Sequence, residues 1–408
     1  MPVHIDGERR TLELAVADLL DARLQRSLGF ANRGGYERLW LGQAIHGRYQ
    51  EQALAADPSY RREVVLTLAF DHRGWAVTLS GRADGLRRDG ETTVVEEIKS
   101  VRRDGGLSVA ARALYAQQAA LYAWMLGRLE GQPVRAELVL IEIGSDGSSR
   151  EEVEVDPAAV ERQVRLRLNE LLGAHERDEA DRADRRGAGA RLAFPYPTLR
   201  PGQRTIVERI ERALAAGEHL LVEAPTGIGK TVAALYPALR HALAHDRRVF
   251  VLTAKTLQQE MATAVLDLLN REDAFHALRL RAKAKMCANG EVLCHEEYCA
   301  FARDYYAKVG TTKIVPRLLA DASILLPDRV FEVARECEVC PFEVSLELAR
   351  ESQVVVCDYN YVFDPYVALS EFGADADLSD VVLVIDEIHN LVDRGRGYYS
   401  PRLSARQA

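Results

Sequence analysis

Residues 221–231 read LVEAPTGIGKT, and residues 384–389 read VIDEIH. These two segments constrain the chain more than anything else in it. A glycine-rich loop that leaves an apolar run and opens a helix turns backbone N–H groups toward one point. The helix adds the positive end of its dipole, so the loop cradles phosphate. In APTGIGKT, Gly227 and Gly229 free the backbone, Lys230 reaches the β- and γ-phosphates, and Thr231 offers a hydroxyl to Mg2+. Ala224, Pro225, Thr226 and Ile228 complete the cradle. Asp386 and Glu387 end an apolar run, where the magnesium-linked carboxylate of such an enzyme belongs. Glu387 is expected to orient or deprotonate the attacking water, and His389 to couple hydrolysis to movement.

The surrounding pattern supports an α/β architecture. A helix near 201–216, a strand HLLVEA (219–224), a helix from Lys230 to about 244, a strand RVFVLT (248–253) and a helix to about 270 follow in order. QVVVCD (353–358) and VVLVID (381–386) are near-continuous β-branched runs, as in strands buried on both faces of a parallel sheet. Between the helix ending near 270 and the first of these runs, residues 280–345 read as an irregular insertion. This block is expected over 194–408, and 174–193, charged and rich in Ala and Gly, reads as a fading helix and a linker. Residues 1–173 form a separate block of order αβββαβ. Its elements are helices at 36–54, 113–126 and 157–172 and strands at 63–70, 75–81, 93–99 and 136–143.

Net charge is −8 and no run of 18 apolar residues exists, so a membrane-spanning helix is excluded. The N-terminus lacks a secretory signal, which makes a reducing cytoplasm the expectation and disulfides unexpected. An acidic balance leaves room for nucleic acid held in one basic groove.

The first block carries its own constellation. Asp84, Glu97 and Lys99 are spaced D-x12-E-x-K. Glu97 and Lys99 share a side of one strand, and Asp84 comes from the strand before. Two carboxylates and a lysine suit a hard divalent ion, Mg2+ or Mn2+, and a scissile phosphate. Lys99 is the expected catalytic group there, and Glu96 reads as a solvated neighbour.

All six cysteines lie in the second block. Cys287, Cys294, Cys299 and Cys340 are spaced C-x6-C-x4-C-x40-C, and Cys337 is close enough to substitute for one of them. Four thiolates hold structural zinc as readily as an iron–sulfur cluster, and spacing alone does not choose. Cys357, inside an apolar strand, reads as a buried thiol.

These residues resemble the XPD/DinG-type helicases of superfamily two from Phe194 onward. FPYPTLRPGQ (194–203) is similar to the adenine-contacting segment, with Gln203 as base reader. EAPTGIGKT resembles the phosphate motif, TAKTLQQE (253–260) a motif that touches the DNA backbone, and DEIH the Asp-Glu-Ala-His box. CPFEVSLELARESQVVVCDYNYVFDP (340–365) resembles the return from the iron–sulfur domain. The resemblance implies a RecA-like motor domain that binds ATP and Mg2+. It also implies a [4Fe–4S] cluster on Cys287, Cys294, Cys299 and Cys340, because Cys340 opens CPFE as the fourth family ligand does. Residues 36–145 resemble the RecB-like branch of the PD-(D/E)XK nucleases, which have a restriction-endonuclease-like fold. That resemblance makes His46 a metal ligand with Asp84 and Glu97, Tyr115 part of the same helix face, and Gln118 and Tyr122 supports for the site and DNA.

Together they imply an ATP-dependent helicase–nuclease of DNA repair, moving 5′ to 3′ on single-stranded or forked DNA. The chain stops at Ala408 without the second motor domain or the Arch insertion, and so reads as truncated. Two other readings stay open: a DNA-binding ATPase module with a degenerate, non-cleaving nuclease domain, and a P-loop ATPase acting on something other than DNA.

Overall fold

The computed structural model describes residues 3–20, 35–101, 107, 109–143, 147–294, 298–373 and 376–400. The final segment of the expected motor domain, 401–408, lies outside these. The chain divides into two compact units, Met1–Arg177 and Asp178–Ala408.

The first unit is built on a seven-stranded sheet. Its elements are β1 (His4–Asp6), β2 (Thr11–Ala15), α1 (Val16–Leu19), α2 (Gly35–Ala56), β3 (Arg61–His72), β4 (Trp75–Asp89), β5 (Thr92–Val101), α3 (Val109–Glu130), β6 (Arg135–Glu142), β7 (Ser148–Val153) and the first part of α4 (Pro157–Arg191), whose remainder falls in the second unit. β3 and β4 form a hairpin closed at His72↔Trp75 over Arg73-Gly74, both at positive φ, the turn that matches strand twist. β4 is long enough to serve three neighbours: β3 along one edge, β2 and then β5 along the other. β5 and β6 run parallel, joined through α3. Residues 119–126 of α3 are buried throughout and pack with Leu12, Leu14, Val77 and Leu79.

Two features differ from the αβββαβ expectation. The amino-terminal pair β1–β2 and the edge strand β7 add to the sheet. The segment read as a linker is helical, because α4 runs unbroken to Arg191. It lacks an apolar stripe, but Ala, Glu and Arg are strong helix formers, and pairs such as Arg182–Asp178 at 3.0 Å (i, i+4) support it.

The second unit contains α5 (Gln203–Ala216), α6 (Lys230–Ala244), β8 (Arg248–Thr253), α7 (Thr256–Leu269), β9 (Ala277–Arg279), α8 (Lys283–Met286), α9 (Tyr305–Thr312), α10 (Ile314–Asp321), β10 (Ile324–Leu325), α11 (Pro327–Glu336), α12 (Pro341–Glu351), β11 (Val354–Asp358), α13 (Asn360–Phe363), β12 (Val381–Ile385) and α14 (His389–Tyr398). Five parallel strands lie in the order β10-β9-β11-β8-β12. Val249, Val251, Val354 and Val356 form the centre of the core under α6 and α7. The insertion read as irregular is largely short helices.

The expected strand at 219–224 does not form. β12 ends the described sheet, and Leu220, Leu221 and Val222 are 41%, 77% and 39% exposed. A strand former becomes a strand where a neighbour supplies ladder hydrogen bonds. None of the described strands pairs with this run.

Candidate functional site

In the first unit, β4 and β5 pair from Asp89↔Thr92 as far as Gly85↔Glu96 and then part. At the parting, the Ile98 N–H donates to the Asp84 side chain at 2.7 Å. Asp84 thus replaces a ladder carbonyl and holds the notch open. Beyond it, β5 keeps β6 on its other edge, so Glu97 and Lys99 project from an anchored strand. Lys99 Nζ donates to Glu97 Oε1 and lies 3.9 Å from Asp84 Oδ2. It also stands 4.9 Å from the centre of the Tyr115 ring.

Glu97 is 1% exposed, and its Oε2 has no hydrogen-bond partner. Burial pushes its carboxyl up to about 7 despite the neighbouring Lys99. His46, on α2, is held below its ordinary range, first by burial and against the pull of Asp84. That keeps the imidazole neutral, the form that ligates metals. Lys99 is held above its ordinary value by Glu97 and Asp84, which outweigh its burial. The structure therefore brings His46, Asp84, Glu97 and Lys99 together. Among the described residues, however, no three His, Cys, Asp or Glu side chains are close enough to share one ion. In type the donor set still fits a hard cation: a neutral imidazole and two carboxylates, one of them with an orphaned buried oxygen.

Tyr122 is 5% exposed, hydrogen-bonded to Gln118 and to the Arg82 backbone. It supports β4 from within the core, and its burial does not suit a direct DNA contact.

The reading of Glu96 as solvated is overturned. It is 0% exposed, ion-paired to Arg87 at 3.2 Å and Arg150 at 3.6 Å, and accepts the hydroxyls of Tyr49 and Tyr60, each at 3.2 Å. Alternation along β5 sends Glu96 to the other face from Glu97, and that face is covered too. Gly85 makes room for this network: a Cβ there would stand 2.0 Å from Tyr60 Oη. Sequence reasoning also missed Gln50, whose Nε2 donates to the Asp84 carbonyl at 2.9 Å. The signal was available, since Gln50 follows His46 by one helical turn.

In the second unit, Gly227 and Gly229 both take positive φ, and Gly229 caps α6. Lys230 Nζ donates to the Ala224 carbonyl at 3.1 Å across the loop. Thr231 begins the same helix, with Pro225, Thr226 and Ile228 in the turn before it. Asp386 follows β12, its N–H bonded to Leu252 O at 2.9 Å. Its carboxyl is pushed up, first by burial and then by Glu387, and pulled back by Lys230. That coupling puts the loop lysine and the strand-end carboxylate within one electrostatic site. Tyr359, unanticipated from sequence, fixes the turn by donating to the carbonyls of Asp386 and Glu387. His389 lies 3.4 Å from Glu387 and is largely exposed.

Gln203 is 2% exposed and fully engaged: Nε2 donates to Ile228 O at 2.8 Å, and Oε1 accepts from Arg200 N at 2.7 Å. Arg200 Nη1 adds a bond to Gly227 O at 2.9 Å. In this state both side chains brace the phosphate loop, and the Gln203 amide does not face outward toward a base.

Cys287, Cys294, Cys299 and Cys340 line one pocket with Lys283 and Phe342. Cys337, at the end of α11, is not part of its lining. Cys340 caps α12, and the N–H groups of Phe342 and Glu343 point at its sulfur, although burial pushes its thiol up to about 11. A single zinc ion would draw four sulfurs to about 2.3 Å of one point. The described residues hold no such group. An iron–sulfur cluster would likewise need its cysteines gathered about one centre. Cys357 is 0% exposed, its thiol pushed up by burial.

Residues 4–193 match the PD-(D/E)XK nuclease superfamily, residues 200–297 the DEAD/DEAH box helicases, and residues 255–408 the DEAD_2 family. The chain is 26% identical over 230 residues to the general transcription and DNA repair factor IIH helicase subunit XPD of Arabidopsis thaliana, covering 48% of this chain and 30% of that protein. It is 30% identical over 240 residues to the ATP-dependent helicase DinG of Mycobacterium tuberculosis, covering 48% of this chain and 35% of that protein. The matched segments thus span about a third of these relatives. The solved structure "XPD_Helicase" superposes with a TM-score of 0.36 at 19% identity, over 50% of this chain and 34% of that one. This chain joins a segment of an XPD/DinG-type helicase to an N-terminal domain of the PD-(D/E)XK nuclease superfamily.

Proposed function

We propose that the chain couples an ATP-driven DNA motor segment to a cation-dependent DNA nuclease of the RecB-like branch, in DNA repair. The observation that carries the reading is the glycine turn at positive φ that opens α6 at Lys230, in a unit whose parallel strand β12 leads into Asp386. Lys230 would leave the Ala224 carbonyl for the nucleotide's β- and γ-phosphates, while Thr231 and Asp386 would hold Mg2+. Glu387 would orient the attacking water. Gln203 and Arg200 keep the loop in shape and supply nothing to the chemistry itself. Movement along single-stranded or forked DNA, 5′ to 3′, is the motion this motor class implies.

In the N-terminal unit, His46, Asp84 and Glu97 would hold Mg2+ or Mn2+, which when bound supplies an acidified water and neutralises developing phosphate charge. Lys99 would then release Glu97 and face the scissile phosphate. Cys287, Cys294, Cys299 and Cys340 would hold a [4Fe–4S] cluster that braces the insertion.

One observation favours the second reading, a DNA-binding ATPase module that does not cleave. The Lys99 ammonium lies between Glu97 and Asp84, where a cation would have to enter. Two assays separate the readings. DNA-stimulated ATP hydrolysis lost in Lys230→Ala supports the motor, and hydrolysis indifferent to both DNA and the substitution refutes it. Mn2+-dependent cleavage lost in Lys99→Ala supports the nuclease, and cleavage unchanged in Lys99→Ala refutes the assignment.

A further inference from the structure

The second unit has a cavity of about 570 Å3 outside the carboxyl ends of β8 and β11, the position where open α/β sheets take ligands. Its lining includes Ala254 and Lys255 from the loop after β8, Asn360 at the start of α13, and Asn390, Arg394 and Tyr398 from α14. Lys255 and Arg394 supply positive charge there. The acidic member of the lining, Asp393, is paired with Arg396 at 3.4 Å.

Arg394 ties three segments together. Its Nη1 donates to Asp358 Oδ1 and to Asn360 Oδ1, each at 3.1 Å. Its Nη2 reaches Ala254 O and Asp358 Oδ2 only at 3.4 Å. One nitrogen thus anchors α14 to the end of β11, while the other is held loosely beside the cavity. Bonds of that length are weak for N–H···O, and a phosphate oxygen binds a guanidinium more strongly. Nη2 is therefore the end that an incoming phosphate can take over without unseating α14.

The same helix holds the hydrolytic turn. It begins at His389, two residues after Glu387. Glu387 has a φ of 52°, in the left-handed region that a glutamate adopts only where its surroundings hold it. Asn390 donates to Glu387 O through both its N–H and its Nδ2, each at 3.0 Å, and the Tyr359 hydroxyl donates to the same carbonyl at 3.1 Å. The Arg394 guanidinium stands 6.0 Å from the centre of the Tyr359 ring. Tyr398 closes the arrangement by donating to Asn360 Oδ1 at 2.7 Å. A shift of Arg394 is thus felt by both groups that shape the turn.

We propose that Arg394 is a positioning residue that couples a single-stranded DNA phosphate in this cavity to the turn of Asp386 and Glu387. This deepens the motor reading and rests on it. Nη2 exchanges Ala254 O for a phosphate oxygen, Nη1 keeps Asp358, and α14 carries the change to its own first turn. The role is to hold the turn rather than the nucleotide, so losing Arg394 acts on turnover.

The test is steady-state ATP hydrolysis by the 408-residue chain with saturating oligothymidylate, alongside the Kd of a fluorescent ATP analogue. Arg394→Ala is expected to lower DNA-stimulated kcat by about tenfold or more, as a misplaced catalytic group does. Its nucleotide Kd is expected to change by less than about twofold, the signature of an interaction that serves the transition state alone. Arg394→Lys keeps the charge but not the fork, and its turnover is expected to fall between Arg394→Ala and wild type. Where Arg394→Ala fails to fold, Arg394→Lys decides in the same terms. Stimulated turnover equal to wild type overturns the inference. So does a parallel loss of kcat and nucleotide affinity, which a merely structural role predicts. If Lys230→Ala abolishes stimulated hydrolysis that Arg394→Ala leaves intact, the motor reading stands and this inference falls. If wild-type hydrolysis is indifferent to DNA, both fall.

Discussion

Glu97→Gln should stabilise the cation-free protein while abolishing its cation affinity, and the gain should depend on pH. Burial lifts the Glu97 carboxyl from an ordinary 4.5 to about 7. A group whose folded-state value is raised contributes stability below its unfolded value and loses it as pH climbs through the folded one. Between pH 4.5 and about 7 the folded wild type therefore loses stability, because ionising Glu97 inside the protein costs more than in the unfolded chain. At about 1.36 kcal/mol per pH unit, the full loss is about 3 kcal/mol. Glutamine never ionises, so the variant should be about 3 kcal/mol more stable than wild type at about pH 8 and only ~1 kcal/mol more stable at about pH 5.5. For a unit of this size each kcal/mol moves the midpoint by about 2–4 °C. The three tryptophans, Trp40, Trp75 and Trp124, all belong to the first unit, so fluorescence melting reports that unit alone. A Glu97→Gln midpoint at or below wild type at the higher pH would refute the reasoning, and so would an equal gain at the two pH values. Mn2+ should raise the wild-type midpoint and leave the variant's unchanged.

Three other outcomes follow from the geometry. Gly85→Ala puts a methyl 2.0 Å from Tyr60 Oη and should cost about 1–3 kcal/mol of stability by the same fluorescence melt, with part recovered by adding Tyr60→Phe. Cys340→Ser should lose protein-bound iron and absorbance near ~400 nm in anaerobically purified protein, whereas Cys337→Ser, outside the pocket, should retain both. Gln203→Ala removes the brace on Ile228 O and should weaken fluorescent-nucleotide binding about fivefold, the equivalent of one neutral hydrogen bond of about 1 kcal/mol.

The sequence made legible those parts of the fold whose signals are local. Period-two runs marked β3 and β5, the Arg73-Gly74 turn marked their hairpin partner β4, and the glycine-rich turn marked the start of α6. His46, Asp84, Glu97 and Lys99 come together in the fold, three of them from adjoining strands. What escaped depends on partners distant in sequence. Residues 219–224 have strand composition, but composition does not supply a neighbouring ladder. The helix to Arg191 escaped because it has no apolar stripe and rests on helix propensity and i, i+4 ion pairs. Glu96 escaped because Arg87 and Arg150, nine and 54 positions away, neutralise it from other strands.

Adjacent glutamates on β5 have opposite fates. One is ion-paired to two guanidinium groups and accepts from two phenols, and the other has a single ammonium partner and an oxygen without a hydrogen-bond partner. A single peptide step therefore divides ballast from appetite. Neutralising Glu96 should loosen the scaffold by removing the carboxylate on which Arg87, Arg150, Tyr49 and Tyr60 converge, whereas neutralising Glu97 should tighten it. The same isosteric change at neighbouring positions would thus move the melting curve in opposite directions, and engineering for robustness would begin by leaving the first glutamate alone.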